Sequence, residues 1–424
     1  MMAMNAMALC LLFSLLIPLA GAGLALINAG LGRSRSAAHA MLASLSVIAV
    51  AALVYFVCGF AWQGSLGLPA HTLTVAGKTW NWLAAEPFFL RGLALDGSPA
   101  SLAVWLGMLS AGLAALIPLG SGADRWRLGA SCASAALLAG FTYPLFAHWV
   151  WGGGWLAQLG ANNGLGKGFL DAGGSGSIQA VGGLTALCIA WILGPRRGKY
   201  APDGTPSAIP GHNAVLVLFG CLAALLGWLG LNCAGSILYY GAEPGRMVLV
   251  AVNTTLGASA AALASAAITR TRFGKPDASL CANGWVGGLA AGSAGCAFVV
   301  PAVAVLVGAV TGILVVLAVE WIELHLAVDD PGGAVAVHAV GGIWGVIAVG
   351  LFAGGSGQFV AQLAGLATLL GFVLPLTYGL NRALDHFSRQ RVAAEGERRG
   401  MDLFELGAGA YPEFMTHTED FTQR

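Results

Sequence analysis

Long stretches of this chain carry no charged side chain. The runs free of Asp, Glu, Lys and Arg that reach the roughly 20 residues of a spanning helix are 1–32, 36–77, 97–123, 128–166, 172–195, 204–242, 247–269, 278–319 and 331–381. Seven hold one span each, some with a polar loop attached. Run 278–319 is long enough for two and breaks near Pro301, and run 331–381 holds two, broken at Gly354-Gly355-Ser356-Gly357. The pattern predicts eleven membrane helices, at about 7–29, 40–60, 101–121, 129–149, 174–194, 213–235, 247–268, 279–299, 302–321, 334–353 and 362–380. The fold class expected is an all-α polytopic membrane protein. Residues 1–380 form the transmembrane domain and 381–424 a cytosolic C-terminal tail.

An odd number of spans puts the termini on opposite sides, and basic residues choose which. With the N-terminus outside, the inner loops hold Arg33, Arg35, Arg125, Arg127, Arg196, Arg197, Lys199, Arg270, Arg272 and Lys275, and the tail adds six arginines. Of the 20 basic residues, 16 then lie inside, against Lys78, Arg91, Lys167 and Arg246 outside. The location expected is the inner (plasma) membrane. No basic residue precedes the first apolar run, which argues against a cleaved signal peptide.

Composition agrees and removes other classes. Charged residues make up 9% of the 424 and hydrophobic ones 57%, too few charges to cover a soluble surface. A net charge of +1 leaves no electrostatic footprint for nucleic acid. The 63 glycines follow no Gly-X-Y period; in membrane helices small residues let backbones approach. The eight cysteines form no CxxC pair, so buried free thiols are expected rather than disulfides or a metal site. Metal spacing, GxSxG and phosphate-binding loops are missing from the sequence, so neither an enzyme nor a bound cofactor is expected.

Two segments repeat. Gln179-Ala180-Val181-Gly182-Gly183-Leu184 resembles His338-Ala339-Val340-Gly341-Gly342-Ile343, and Asp171 and Asp330 each stand eight residues ahead. They fall in spans five and ten. Five spans reverse their orientation at each repetition, so halves at about 7–194 and 213–353 are related by an axis in the membrane plane, with 362–380 as an addition. A site between such halves lies near the midplane. His338, about five residues into an apolar helix, is costly there unless it faces the bundle interior or a cavity. Two readings of it stand: a neutral ring satisfied by a neighbouring group, or one member of a polar line through a pore, with Gln179 at the equivalent place.

With these residues on the page, the chain resembles the Amt/Rh ammonium transporters. Ser175-Gly176-Ser177-Ile178-Gln179-Ala180-Val181-Gly182-Gly183 after Asp171 is similar to the family's fifth helix. Asp329-Asp330-Pro331, Val337-His338, Gly341-Gly342-Ile343-Trp344-Gly345 and Gly350-Leu351-Phe352-Ala353 are similar to the tenth. Gly227-Trp228-Leu229-Gly230-Leu231-Asn232, Asn253-Thr254-Thr255, Tyr143-Pro144 with His148-Trp149-Val150-Trp151, and Gly400-Met401-Asp402-Leu403 with Ala410-Tyr411-Pro412 extend the likeness in order from about residue 18 to 412. The resemblance implies a homotrimer with one ammonium or ammonia pore per subunit, and a tail that meets a PII-type regulatory protein. It also implies an outer recruitment site at Trp151 and Ser236, a gate at Ser110 and Leu231, pore residues Gln179 and His338, and Asp171 as a structural residue of the vestibule. An indole face favours a cation, and an apolar constriction penalises one.

The departures concern the pore. Glutamine at 179 replaces the family's first pore histidine, and it does not titrate, so a histidine-to-histidine proton relay is not available in its usual form. Ser110 and Leu231 replace two gate phenylalanines. One extra residue between Asn232 and Gly235-Ser236 makes the match of Ser236 inexact, Gly333 replaces an aspartate, and Leu406 a histidine. Structural alternatives stand beside the functional ones: Trp151 as an interfacial belt residue, Asp171 as a helix cap, Ser236 bonded to its own helix, the tail as a solvated charged segment. Two other functions share the scaffold: an ammonium sensor impaired in transport, favoured by the lost phenylalanines and histidine, and a channel for another small solute. The 44 residues after 380 hold no output domain, which weighs against the sensor.

Overall fold

The structure, a computed structural model, describes residues 4–412. Among them, ten helical segments are long and apolar enough to cross a membrane: Met4–Leu31, Ser34–Gln63, Pro99–Gly122, Leu128–Asn163, Ser175–Leu193, Ala214–Tyr240, Pro244–Phe273, Pro301–Leu326, Val335–Phe352 and Gln358–Phe387. The segment expected at 279–299 is a helix of 18 residues, Ala278–Gly295. It is rich in glycine, alanine and serine and does not reach the same length and apolarity. It is buried along most of its length, so its neighbours, not lipid, are its solvent.

The helix ends follow local chemistry. Proline opens helices at Pro18, Pro99 and Pro301, where its missing N–H costs nothing. Asn213 and Asp277 accept from Leu216 N at 3.0 Å and Leu280 N at 2.8 Å, capping two more. The break expected near Pro301 and the break at 354–357 are both present. Glycines set the closest crossings. A Cβ on Gly23 would meet Gly220 O at 2.5 Å, and one on Gly220 would meet Gly23 O at 2.6 Å, so the first and sixth spans touch backbone to backbone.

One boundary changes. The last helix continues to Phe387, so residue 380 is not its end. The spans are helical as expected, and the connection between the second and third adds an antiparallel hairpin of strands β1 (Ala70–Val75) and β2 (Lys78–Ala84). Its turn places Ala76 and Gly77 at φ of 51° and 75°, the geometry of a two-residue hairpin loop. The hairpin is tied down by Asn81 N donating to Gln158 Oε1 at 2.8 Å and Trp149 Nε1 donating to Trp82 O at 2.8 Å. All eight cysteines are free, five of them fully buried.

On the opposite side the basic residues gather. Arg196 pairs with Asp329 at 2.9 Å and with Asp124 at 3.1 Å. The fully buried Arg125 donates to Gly194 O, Ala123 O and Asp329 O. Burial alone would push the Asp329 carboxyl up, but the Arg196 and Arg125 guanidiniums hold it below the usual carboxylate range. The described part of the tail, up to residue 412, docks beside this network on the helix ends and is not a free solvated segment. Asp402 accepts from His39 N at 2.7 Å and Ala38 N at 3.2 Å, at the start of the second span. Glu405 accepts from Leu128 N at 2.8 Å, at the start of the fourth.

Candidate functional site

Spans five and ten begin alike. Each opens with a turn wider than an α-helix, Ser175–Ala180 and Val335–Val340, and continues as an α-helix. Such wide turns recur at functional sites. Asp171 Oδ2 accepts from Gly176 N at 3.1 Å, Ser177 N at 2.7 Å and Ser177 Oγ at 2.8 Å. Asp330 accepts from Ala334 N at 3.0 Å and Val335 N at 2.7 Å, and from Ser121 Oγ at 2.6 Å. Each aspartate thus satisfies the free N–H groups of a helix start and offsets its positive end. Burial pushes the Asp171 carboxyl up to about 6, while its donors from Ser177 and Gly176 pull it down.

The glycines then bring the two helices together. A Cβ on Gly183 would lie 2.1 Å from Ala339 N and 2.6 Å from His338 C; one on Gly342 would lie 2.5 Å from Ser175 O and 3.2 Å from the Gln179 side chain. The contact is reciprocal, as a twofold relation between the halves requires. At the crossing, His338 Nδ1 lies 2.7 Å from Gln179 Oε1. The amide oxygen only accepts, so Nδ1 carries the proton and donates, and Nε2 keeps its lone pair. Both residues are buried, His338 at 4% exposure and Gln179 at 1%. Gln179 Nε2 has no partner, which leaves one donor beside the ring for a third group.

The outer residues are placed differently from one another. Trp151 is buried, donates from Nε1 to Asp171 O at 2.9 Å, and stacks on Tyr239 at 4.5 Å with rings 5° apart. Ser236 donates to Asn232 O of its own helix at 2.6 Å and is fully buried, which matches the structural alternative for it. Leu231 and Ser110 are both buried, and the Ser110 hydroxyl has no partner. Gly333 sits at φ 67°, and a Cβ there would meet Asn283 Nδ2 at 2.3 Å, so the missing aspartate accompanies a turn that demands glycine.

Sequence reasoning missed Tyr239 as the partner of Trp151. It also missed the polar group around Gln63, whose Oε1 accepts from Tyr55 at 2.9 Å and whose carbonyl lies 2.8 Å from His148 Nδ1. The isolated polar residues Gln63 and His148 in apolar runs were the available signal.

Two spans that cross at glycines, each with its start capped by an aspartate, define a helical membrane protein with a buried polar pair at the crossing. Comparison with known proteins makes this specific. The Ammonium Transporter Family model matches residues 8–411, and the chain belongs to that family. It is 37% identical to ammonium transporter Amt2 of Archaeoglobus fulgidus, over 94% of this chain and 86% of that one. It is 30% identical to an ammonium transporter of Bacillus subtilis, over 95% and 97%. Among solved structures, one titled Sensor Amt Protein superposes with a TM-score of 0.84 at 29% identity, covering 94% of this chain and 98% of that one.

Proposed function

We propose that this chain moves ammonium or ammonia across the cytoplasmic membrane through a pore in which Gln179 and His338 are the polar pair. The observation that carries this reading is the 2.7 Å contact between them, buried where two reciprocal glycines cross the halves. The His338 lone pair accepts a hydrogen bond from ammonia, and the free Gln179 amide donates one to it. Neither group passes a proton to the other, because an amide does not titrate. Ammonia therefore crosses without a histidine relay. Trp151 and Tyr239 form the outer aromatic pair, and Ser110 and Leu231 stand at the gate. The helix Ala278–Gly295 completes eleven spans. The N-terminus faces outward and the tail the cytosol, as the basic split requires. The working unit is a homotrimer, and the docked tail is the surface for a PII-type regulator.

Methylammonium uptake into proteoliposomes, with current recorded at the same time, tests this. Uptake with little current is expected, and His338→Leu should reduce it or change its selectivity. No uptake above empty vesicles overturns transport. A second reading, a sensor on the same scaffold, is favoured by Trp151 being covered by Tyr239 and by the tail's tie to three helix ends. Ammonium-dependent exposure of the tail without uptake would establish it.

A further inference from the structure

Outside the pore, one concentration of charge is unused. Two grooves open on the tail side, of about 710 and 860 Å³, and they share Arg389 and Arg391. The first is also lined by Arg127, Arg197, Glu397 and Glu405, the second by Arg382, Asp385 and Phe387. The acids are already engaged: Glu397 is buried and accepts from Arg197 N and Arg391, Glu405 from Leu128 N, and Asp385 from Arg382 and Gln390 N. The guanidiniums are less spent. Arg127 and Arg197 reach carboxylates only at 3.9 Å, and among the described residues the exposed Arg389 guanidinium has no hydrogen bond or ion pair. Arg391 is fixed as a platform by Leu193 O at 2.7 Å and Pro195 O at 2.8 Å.

The rim of the second groove is apolar. Phe387 is 85% exposed at the end of the last span, and Trp191, 47% exposed, pairs with Tyr378 on the adjoining surface. Exposed aromatics beside arginines at the ends of spans mark the level where acyl chains give way to head groups. Guanidinium forks fit phosphate oxygens in pairs, which an ammonium does not.

We propose that Arg389, with Arg391 as platform and Arg197 and Arg127 behind it, binds the phosphate of an anionic lipid head group from the adjoining leaflet. Bound there, the phosphate competes with Glu397 for Arg391 and Arg197. The Arg197–Glu397 contact ties the tail to the end of the fifth span, and the Arg391–Glu397 contact holds the tail's own fold there, so lipid charge becomes an input to tail docking. The site is independent of what the pore carries.

The test uses the full chain in neutral detergent, titrated with dioctanoyl phosphatidylglycerol, dioctanoyl phosphatidylcholine or inorganic pyrophosphate, with bound molecules counted by native mass spectrometry. Phosphatidylglycerol should bind the wild type at least about tenfold more tightly than phosphatidylcholine, and Arg389→Gln should remove most of that preference. Arg389→Lys should recover part of it. Among the described residues the Arg389 side chain has no hydrogen bond or ion pair to lose, so the variant should fold, and its unchanged melting temperature without lipid is the control. Pyrophosphate binding lost in the same variant would identify a soluble phosphate compound as the source. Equal binding of the two lipids, or undiminished phosphatidylglycerol binding by both Arg389→Gln and Arg197→Gln, overturns the proposal.

Discussion

The two halves of this protein use the same backbone device and different side chains. In the first, Asp171 spends one oxygen on three donors, all within its own helix start, and leaves the other without a partner. In the second, Asp330 spends both oxygens, and one reaches across to Ser121 of the third span. Glycine crossings are matched at 183 and 342 but not one residue earlier. A Cβ on Gly182 would lie 2.6 Å from Ile117, whereas one on Gly341 would find nothing nearer than 3.6 Å. At the pair itself one half offers an amide and the other an imidazole. The difference separates frame from chemistry: the crossing needs small residues and capped helix starts, and it tolerates a change in what those starts hold up.

The sharpest way to break the comparison is at the crossing. Gly183→Ala and Gly342→Ala each drive a methyl into backbone atoms that cannot rotate away. Each should cost more than roughly 3 kcal/mol, or abolish folded protein altogether. Gly341→Ala should be nearly silent. Yield of monodisperse protein and melting temperature decide, and a harmless Gly183→Ala would show that the halves do not press together as described.

The aspartates come next. Asp330→Asn must place an amide NH₂ against a donor, because both oxygens are in use, and should cost roughly 2–3 kcal/mol. Asp171→Asn can turn its NH₂ to the oxygen that had no partner and keep its oxygen on the three donors, so a cost of about 1 kcal/mol is expected. Thermal unfolding of the two variants side by side reads the difference. Equal costs would mean that the halves are capped equivalently after all.

Much of this frame was legible in the sequence. The charge-free runs marked the helices because a spanning segment cannot hide many charges, and Pro301 and the glycine cluster at 354–357 marked breaks because each disfavours a continuing helix. The pairing of Gln179 with His338 followed from a repeat at fixed offset. What stayed hidden depended mostly on partners distant in sequence. The stacking of Tyr239 on Trp151 could not be read from either residue alone, whereas the bond from Ser236 to Asn232 O, one turn back in its own helix, was one of the two readings the sequence left open. The hairpin at 70–84 straddles the end of the run 36–77, which was read only for its lack of charge. The tail's acids could not be assigned because their partners outside the tail, His39, Leu128 and Arg197, lie at the ends of three different spans.

The proposed pore pair, Gln179 and His338, sharpens the comparison functionally. Gln179→His makes the two halves alike and supplies a second titrating ring. It exchanges one neutral hydrogen bond for another, so stability should move by about 1 kcal/mol or less. The ammonium-evoked current should rise relative to wild type, provided the proposed gate at Ser110 and Leu231 still admits substrate. A large wild-type current that this variant leaves unchanged would mean that the proton crosses by a route independent of position 179.

The smallest effect belongs to the tail, where the second and fourth spans share one acid. Burial alone would raise the Glu405 carboxyl, but His39, Leu128 N and the nearby Arg127 hold it below its ordinary value of 4.5. A carboxyl held below its unfolded value contributes stability that is fully present above that value and is lost as pH falls through the folded one. Wild type should therefore melt a few degrees above Glu405→Gln near neutral pH, a gap of roughly 1 kcal/mol for a partly buried group. The gap should narrow as pH falls below about 4.5, because the wild-type carboxyl then becomes neutral like the amide. Melting curves of both proteins between pH 3 and 7 test this. A gap that persists unchanged at pH 3 would show that the Glu405 side chain docks the tail by shape and not by charge.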